Sequence, residues 1–229
     1  MADSSEQPHV TSPWQPAGER GSQRQQKREA VLLAAVRSFN ENGFHATSLE
    51  QVAVTLNVTK PTIYHYFSSK DEILFECTRR GLERIREVAG RCRPGQTGLE
   101  RLTSIMRDYA VIMTEDFGKC VTRVGDNELA PESRLKQRAI KREIDATVRR
   151  VVEEGIKDGS IIDRDVRLLT FTLTGALNWI AKWHEPDGRY TAEAVADECV
   201  DMLVHGLAPR EHDPASMAQP GRGTGNNTP

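Results

Sequence analysis

A run of polar side chains between residues 59 and 66 carries the most distinctive chemistry of this sequence. Its members combine hydroxyl, ammonium, phenol and imidazole groups: Thr59, Lys60, Thr62, Tyr64, His65 and Tyr66. On a helix with Ile63 turned inward, these side chains share the outer face. Short hydroxyls and a lysine at the N-terminal end of such a helix suit base edges in the DNA major groove, whereas aromatic hydroxyls and histidine suit flanking phosphates. For the short helix taken alone, a solvated polar face with two packed tyrosines stays open as the alternative.

Two short helices joined by a tight turn must position this face. We expect the first to begin at Thr47, whose hydroxyl caps it while Glu50 reaches back. Asn57 tolerates the left-handed backbone that ends this helix. The next helix opens at Thr59, with Pro61 in its first turn, and ends near residue 67. This is the spacing of a helix-turn-helix.

Longer amphipathic helices are predicted on both sides of this pair. The first runs from Ser22 to Asn42. The fourth begins at Ser69, which forms a capping box with Glu72, and its first turn carries Lys70, a suitable phosphate contact. The apolar seam between the two short helices is predicted to comprise Val52, Ala53, Leu56, Val58 and Ile63.

The string from Thr47 to Leu74 resembles the DNA-binding domain of TetR-family transcriptional regulators, above all in Ile63-Tyr-His-Tyr-Phe-x-x-Lys-Asp-Glu. The family usually has glycine where Asn57 stands and often where Pro61 stands. The resemblance implies an all-α homodimer of about nine helices per subunit, with a three-helix helix-turn-helix domain and a larger C-terminal helical ligand-binding and dimerisation domain. It also implies repression at a palindromic operator and release by a small-molecule inducer. The implied DNA contacts are Thr47, Thr59, Lys60, Thr62, Tyr64, His65, Tyr66 and Lys70.

Composition divides the chain into four parts. Prolines and small polar residues crowd both ends, so we expect a disordered arm over residues 1–22 and a disordered tail over residues 209–229. Between them we place the DNA-binding domain at 23–70 and the ligand-binding and dimerisation domain at 71–208. The net charge of −2 argues against a nucleic-acid binder for the chain as a whole. Residues 20–70, however, hold seven Lys and Arg against three Glu, a local +4 that favours DNA binding there.

The C-terminal part is predicted to be helical, with breaks near Gly118, Pro131, Gly159 and Pro186. Residues 170–174 alternate like a strand, but their flanks continue one face at helical spacing and favour a helix. An apolar pocket with polar anchors is expected between the fifth and eighth helices, with plain core packing as the alternative. The candidate pocket residues are Tyr109, Ile112, Met113, Phe117, Asn178, Trp179 and Trp183.

The family resemblance further implies that the last two helices pair across the dimer axis, although their faces could serve only the subunit's own core. The candidate interface residues are Gly175, Ala176, Val195, Cys199, Met202 and Leu203. Residues 179–191 also resemble a C-terminal signature of TetR-family members that sense acyl-CoA thioesters. CoA phosphates would then meet basic residues that are otherwise surface charge: Arg123, Arg149, Arg150 and Lys182.

Several function classes lack support in the sequence. The longest charge-free apolar stretch, residues 168–181, has 14 residues, whereas a membrane-spanning helix needs ~20. No secretory signal pattern is present, so we expect the cytoplasm. The sequence shows no common catalytic motif, its cysteines are scattered, and Asp201 and His205 lack a third metal ligand, so neither a metal nor a cofactor is expected. Two alternatives stay open, namely a helical enzyme and an interaction module without sequence-specific DNA binding.

Overall fold

The computed structural model describes residues 20–91 and 94–206. These residues form nine α-helices and one turn of 3₁₀ helix, Asp126–Glu128, without any strand. The predicted all-α class is therefore confirmed, including a helix over residues 170–174. The arm and tail predicted to be disordered lie almost wholly outside the described residues. The helices are α1 Arg20–Asn42, α2 Leu49–Thr55, α3 Lys60–Tyr64, α4 Lys70–Ala89, α5 Gly98–Ile112, α6 Asp116–Arg123, α7 Pro131–Lys157, α8 Val166–Trp183 and α9 Ala192–His205.

The first apolar core, here called the reader core, lies among α1, α2, α3 and the first half of α4. One face of α1 supplies five of its members at helical spacing, and Ile63 is the buried residue of α3. Later parts of the chain complete this core: Cys120 and Val124 come from α6 and its C-terminal end, and Leu129 follows them. The N-terminal helices are therefore not packed independently of the rest of the protein.

A second and larger core joins the C-terminal half of α4 to α5, α7, α8 and α9. Close backbone approach places α6 against both cores. A Cβ atom on Gly118 would lie 1.8 Å from the Ile112 carbonyl oxygen, and one on Gly81 would lie 2.4 Å from the Phe117 carbonyl oxygen. A helix break does lie near Gly118, at residues 113–115 between α5 and α6, but Gly118 itself lies inside α6. Because Gly118 has no side chain, the C-terminal end of α5 can pack directly against the backbone of α6.

The predicted start of α2 was wrong by one residue. Ser48, not Thr47, is the N-cap: its side chain accepts from the Gln51 N–H, and the Gln51 side chain accepts from the Ser48 N–H. The turn after α2 is as predicted, because Asn57 has a φ of 55° in the left-handed region. Thr59 precedes α3 and Pro61 lies in its first turn.

Other helix boundaries also differ from the predictions. α1 already begins at Arg20, so Ser22 lies within it. α3 ends at Tyr64 and not near residue 67. Ser69 caps α4 as predicted, because its side chain accepts from the Glu72 N–H. The Glu72 carboxylate, however, accepts from the N–H of Ser68 and not from that of Ser69, so the predicted capping box is shifted by one residue. The breaks near Pro131, Gly159 and Pro186 all fall between helices or at a helix start.

Candidate DNA-reading surface and ligand cleft

The outer surface of α3 presents most of the polar groups that the sequence placed there. Thr59, Tyr64 and His65 are exposed, whereas Lys60 and Thr62 are half-buried. The hydroxyl groups of Thr59 and Thr62 lie 2.9 Å apart, so they form one polar patch at the start of the helix. We call this set of five residues the reading surface.

Lys60 is held at the boundary between α2 and α3. Its ammonium group donates a hydrogen bond to the Glu50 carboxylate, and this contact raises the pKa of Lys60 and lowers the pKa of Glu50. The same nitrogen lies 5.9 Å from the centre of the Tyr64 ring. A phosphate or base that binds the Lys60 ammonium group must therefore compete with the Glu50 carboxylate.

Three other predicted DNA contacts lie differently. Thr47 is only 1% exposed, and its hydroxyl lies 2.8 Å from the Gly43 carbonyl oxygen. This corrects the prediction, because that hydroxyl holds the turn before α2 and does not face the surface. Tyr66 is half-buried against the reader core, beside His65. Lys70 is half-buried with its nitrogen 4.3 Å from the centre of the Phe44 ring, and burial lowers its pKa.

One residue of the reader was missed by the sequence reasoning. Val54 on α2 is 78% exposed, although it is a large apolar residue. Val54 lies between the buried Ala53 and the partly buried Leu56 but off the apolar seam of α2. This departure from the helical spacing of the seam could have identified Val54 as exposed. An exposed apolar side chain on a helix-turn-helix can contact a thymine methyl group.

A cleft of about 900 Å³ lies among α4, α5, α6, α7 and α8. Its walls are largely apolar or aromatic, and among their members are Leu82, Ile85, Val121, Ile144, Val148, Phe171 and Trp179. Two polar residues from opposite sides meet in the wall, where the Tyr109 hydroxyl donates to Asn178 Oδ1 over 2.7 Å. This combination of apolar walls and few polar groups is typical of a small-molecule site.

The charged side chains that line the cleft are mostly basic. They are Arg138, Lys141, Arg142 and Lys182, against the single carboxylate of Asp145. Asp126 pairs with Lys141 at 2.6 Å and lies 3.7 Å from Arg138, while Asp145 pairs with Arg149. Across the described ranges, neither Arg142 nor Lys182 takes part in an ion pair. The cleft therefore has spare positive charge for an anionic ligand.

The predicted pocket residues divide into two groups. Tyr109, Asn178 and Trp179 line the cleft. The other four do not, because Ile112 and Met113 are fully packed inside the larger core, Phe117 packs against the reader core, and Trp183 is exposed outside the lining. Of the four basic residues expected to meet CoA phosphates, Lys182 lines the cleft, whereas Arg123, Arg149 and Arg150 do not. The basic residues of α7 that do line it were not among the candidates.

α6 connects the cleft to the N-terminal helices, because Arg123 of α6 donates hydrogen bonds to the C-terminal ends of both α8 and α1. Arg123 Nε donates to the Ala181 carbonyl oxygen of α8 over 2.7 Å, and Arg123 Nη1 donates to the Asn40 carbonyl oxygen of α1 over 3.1 Å. Both carbonyls lie in the last turn of their helices, where no partner within the helix is available. Because its guanidinium is engaged in this way, Arg123 is not a free phosphate ligand. The neighbouring residues Val121 and Thr122 line the cleft.

A second α6 contact is buried beside the first. Lys119 Nζ donates to the His184 carbonyl oxygen over 3.0 Å, and both side chains are at most 5% exposed. Burial lowers the pKa of Lys119, and the positive charge of Arg123 lowers it further. Burial and then the charge of Lys119 also lower the pKa of His184. The arrangement favours a neutral imidazole.

The outer face of α8 is unusually apolar. Leu168 is 68% and Trp179 65% exposed, and Gly175 and Ala176 lie exposed between them. The predicted interface residues of α9 differ among themselves. Met202 is exposed, Cys199 and Leu203 are half-buried against the subunit's own core, and Val195 is buried inside it. Val195 is therefore corrected to a core residue.

Membrane-spanning helices and metal-binding clusters are both absent from residues 20–91 and 94–206. No helix there is long and apolar enough to cross a membrane. No group of three or more His, Cys, Asp or Glu side chains in the same residues is placed to hold a metal ion.

Comparisons with known proteins agree with this geometry. Residues 31–77 match the family model "Bacterial regulatory proteins, tetR family", and residues 95–207 match "Tetracyclin repressor-like, C-terminal domain". The crystal structure of the TetR family transcriptional regulator PfmR from Thermus thermophilus is 30% identical, with a TM-score of 0.71 over 78% of this chain and 99% of PfmR.

Two further relatives carry informative names. The HTH-type transcriptional repressor KstR2 of Rhodococcus jostii (strain RHA1) is 26% identical over 189 residues, which cover 80% of this chain and 91% of KstR2. AibR, in complex with isovaleryl coenzyme A and operator DNA, is 26% identical with a TM-score of 0.67, over 78% of this chain and 98% of AibR. Since both halves of the fold are matched, the chain belongs to the TetR family of bacterial DNA-binding transcriptional regulators.

Proposed function

We propose that the chain is a homodimeric repressor that binds a palindromic operator through α3 and is released from it by an amphipathic anion. The observation that carries this proposal is the connection through α6, because one short helix both lines the cleft and holds the end of α1. The chemistry we assign is binding alone, with neither catalysis nor a cofactor, and the site of action is the cytoplasm, where the DNA is.

The reading surface supports the DNA part of the proposal. Its exposed hydroxyl patch at the start of α3 suits base edges, and the side chains of Lys60, Tyr64 and His65 suit bases or phosphates at its border. Tyr66 and Lys70 are second-rank contacts, because Tyr66 packs against the reader core and the Lys70 ammonium lies over the Phe44 ring. Thr47 is buried and is not part of the surface. The local charge of +4 over residues 20–70 supplies the attraction to the DNA backbone.

The apolar face of α8 supports a homodimer. Exposed large apolar residues on one helix face mark an interaction surface, and small residues between them permit close helix approach. We assign Leu168, Gly175, Ala176 and Trp183 of α8 and Met202 of α9 to this interface. A two-fold dimer would present two copies of α3 to half-sites about 34–36 Å apart.

The cleft supports an amphipathic anion as the inducer, and we propose an acyl-CoA thioester. Apolar walls suit an acyl chain, and the unpaired Arg142 and Lys182 suit phosphate groups at the mouth. AibR, which has a similar fold, is named as binding isovaleryl coenzyme A. Binding would favour a dimer whose α3 helices no longer match successive major grooves, and this requires a higher affinity for the released form than for the DNA-bound form.

A single series of experiments tests this function. An operator is first selected from a random DNA library, and binding is then followed by fluorescence anisotropy at several salt concentrations. We expect tight binding that weakens steeply with salt, and release by at least one of isovaleryl-, octanoyl- and palmitoyl-CoA. Failure to enrich any DNA sequence would refute the regulator proposal at this level. Operator binding without release by any thioester would refute only the ligand class.

A further inference from the structure

The polar pair in the wall of the cleft has a donor that the fold does not use. Tyr109 is buried, and burial raises the pKa of its hydroxyl, so the group stays protonated and donates to Asn178 Oδ1. A primary amide also carries two N–H donors. In the part of the chain that the structure describes, no residue accepts a hydrogen bond from the Asn178 amide nitrogen. Because Asn178 lines the cleft, these donors are available to a ligand.

The two threonine hydroxyls of the lining do not offer this. The Thr174 hydroxyl donates to the Thr170 carbonyl oxygen over 2.8 Å, and the Thr122 hydroxyl donates to the Lys119 carbonyl oxygen over 3.2 Å. Both threonines therefore spend their only proton on their own helix. Asn178 differs from them, since Tyr109 fixes its oxygen and leaves its N–H groups unspent.

We propose that Asn178 donates a hydrogen bond to a carbonyl oxygen of the ligand and thereby makes the cleft select acyl compounds over their alkyl analogues. This inference rests on the proposed function of the cleft as the inducer site. A carbonyl oxygen that enters apolar surroundings loses its water and needs a replacement donor. Tyr109 is the positioning residue, because its hydroxyl sets which end of the amide faces the ligand.

The experiment compares a thioester with the thioether that lacks only its carbonyl oxygen. The affinities of octanoyl-CoA and S-octyl-CoA are measured by isothermal titration calorimetry on the full chain. We expect wild type to prefer the thioester by about tenfold, and Asn178→Leu to bind the two ligands within about twofold of each other. Asn178→Asp keeps the acceptor for Tyr109 but removes the donor, so its preference should also disappear. Its carboxylate also repels a facing carbonyl oxygen, which the thioether lacks, so a reversed preference for the thioether in this variant supports the inference as well.

Two further variants separate positioning from general damage. Tyr109→Phe should reduce the preference to about threefold, because the amide loses its fixed orientation. Asn127→Leu, the same kind of change at an exposed asparagine outside the cleft lining, should keep the tenfold preference. A tenfold preference that survives in both Asn178 variants overturns the inference and leaves the inducer site standing, as does equal binding by wild type. If neither ligand binds wild type, the proposed ligand class fails and the inference fails with it.

Discussion

Replacing Arg123 by methionine should disconnect ligand binding from operator release. The guanidinium holds the last turn of α1 and the last turn of α8 at the same time, through the carbonyl oxygens of Asn40 and Ala181. Methionine keeps much of the apolar stem but leaves both carbonyls without their donor. Hydrogen bonds to a charged group contribute about 1.5–3 kcal/mol each. Since Arg123 is half-buried, we expect a loss of about 2–4 kcal/mol in the free energy of unfolding, measured by urea denaturation.

The effect on regulation should be larger than the effect on either binding event. If the inducer acts through this contact as proposed, we expect it to weaken operator binding by about 30-fold in wild type, which is a coupling free energy of about 2 kcal/mol. In Arg123→Met, we expect the ligand and operator affinities, measured separately, to stay within about threefold of wild type, and the coupling to fall below about threefold. Operator anisotropy with and without saturating octanoyl-CoA measures it. The reverse measurement, ligand affinity with and without operator, must give the same factor.

A matched control exists on the same pair of helices. Arg37 of α1 pairs with Asp116 of α6 at 3.0 Å, but the contact is exposed and does not reach α8. Exposed ion pairs contribute little, so Arg37→Met should keep nearly the full coupling. Thirtyfold release that persists in Arg123→Met, or an equal loss in Arg37→Met, would refute the role of Arg123 as the connecting residue.

Four further predictions concern other parts of the chain. Lys60→Met should weaken operator binding. If Lys60 contacts phosphate, the loss of affinity relative to wild type should shrink about tenfold between about 50 and 200 mM salt, because two phosphate contacts are lost per dimer. A loss of affinity that does not change with salt would indicate base contact. Gly118→Ala should lower the free energy of unfolding by about 3 kcal/mol or prevent folding, because the added Cβ would overlap the Ile112 carbonyl group. Gly125→Ala is the control: open space surrounds this position, so its thermal unfolding midpoint should equal that of wild type. Ala176→Arg should convert the dimer to monomers in size-exclusion chromatography with unchanged helicity. The buried His184, whose folded pKa is lowered by burial, should make stability fall as pH drops below the unfolded value of about 6.5, and His184→Gln should flatten that pH profile in urea titrations.

The helix-turn-helix formed by α2 and α3 could be predicted from the sequence because the signals that specify it are local. Turn chemistry at Asn57 and the proline at the start of α3 act within a few residues, and both were read correctly. The cap of α2 was misassigned because Thr47 and Ser48 are adjacent and each has a Glu or Gln three residues later. The structure chooses Ser48, since the Thr47 hydroxyl finds carbonyl partners in the preceding turn and at the end of α1.

The cleft was predicted only in part, because its geometry depends on contacts between distant segments. Phe117 was expected on the same helix as Tyr109, but α5 ends at Ile112, and Phe117 lies in α6, where it packs against the reader core. Gly118 was read as a helix breaker, although its role is to let α6 approach the end of α5. Such close approaches leave no local pattern beyond the glycine itself.

The basic lining of the cleft shows how the same residues carry two meanings. Arg138, Lys141 and Arg142 lie three and four residues apart, which on an isolated helix predicts only a solvated face. In the fold, this face of α7 lines the same cleft as Lys182 of α8, and Asp126 pairs with two of its cations, Arg138 and Lys141. Spare positive charge beside apolar walls costs the subunit self-repulsion that a helix surface would avoid. An anionic ligand would relieve this repulsion on binding, so we expect an inducer with both a charged and an apolar part and not a purely apolar one.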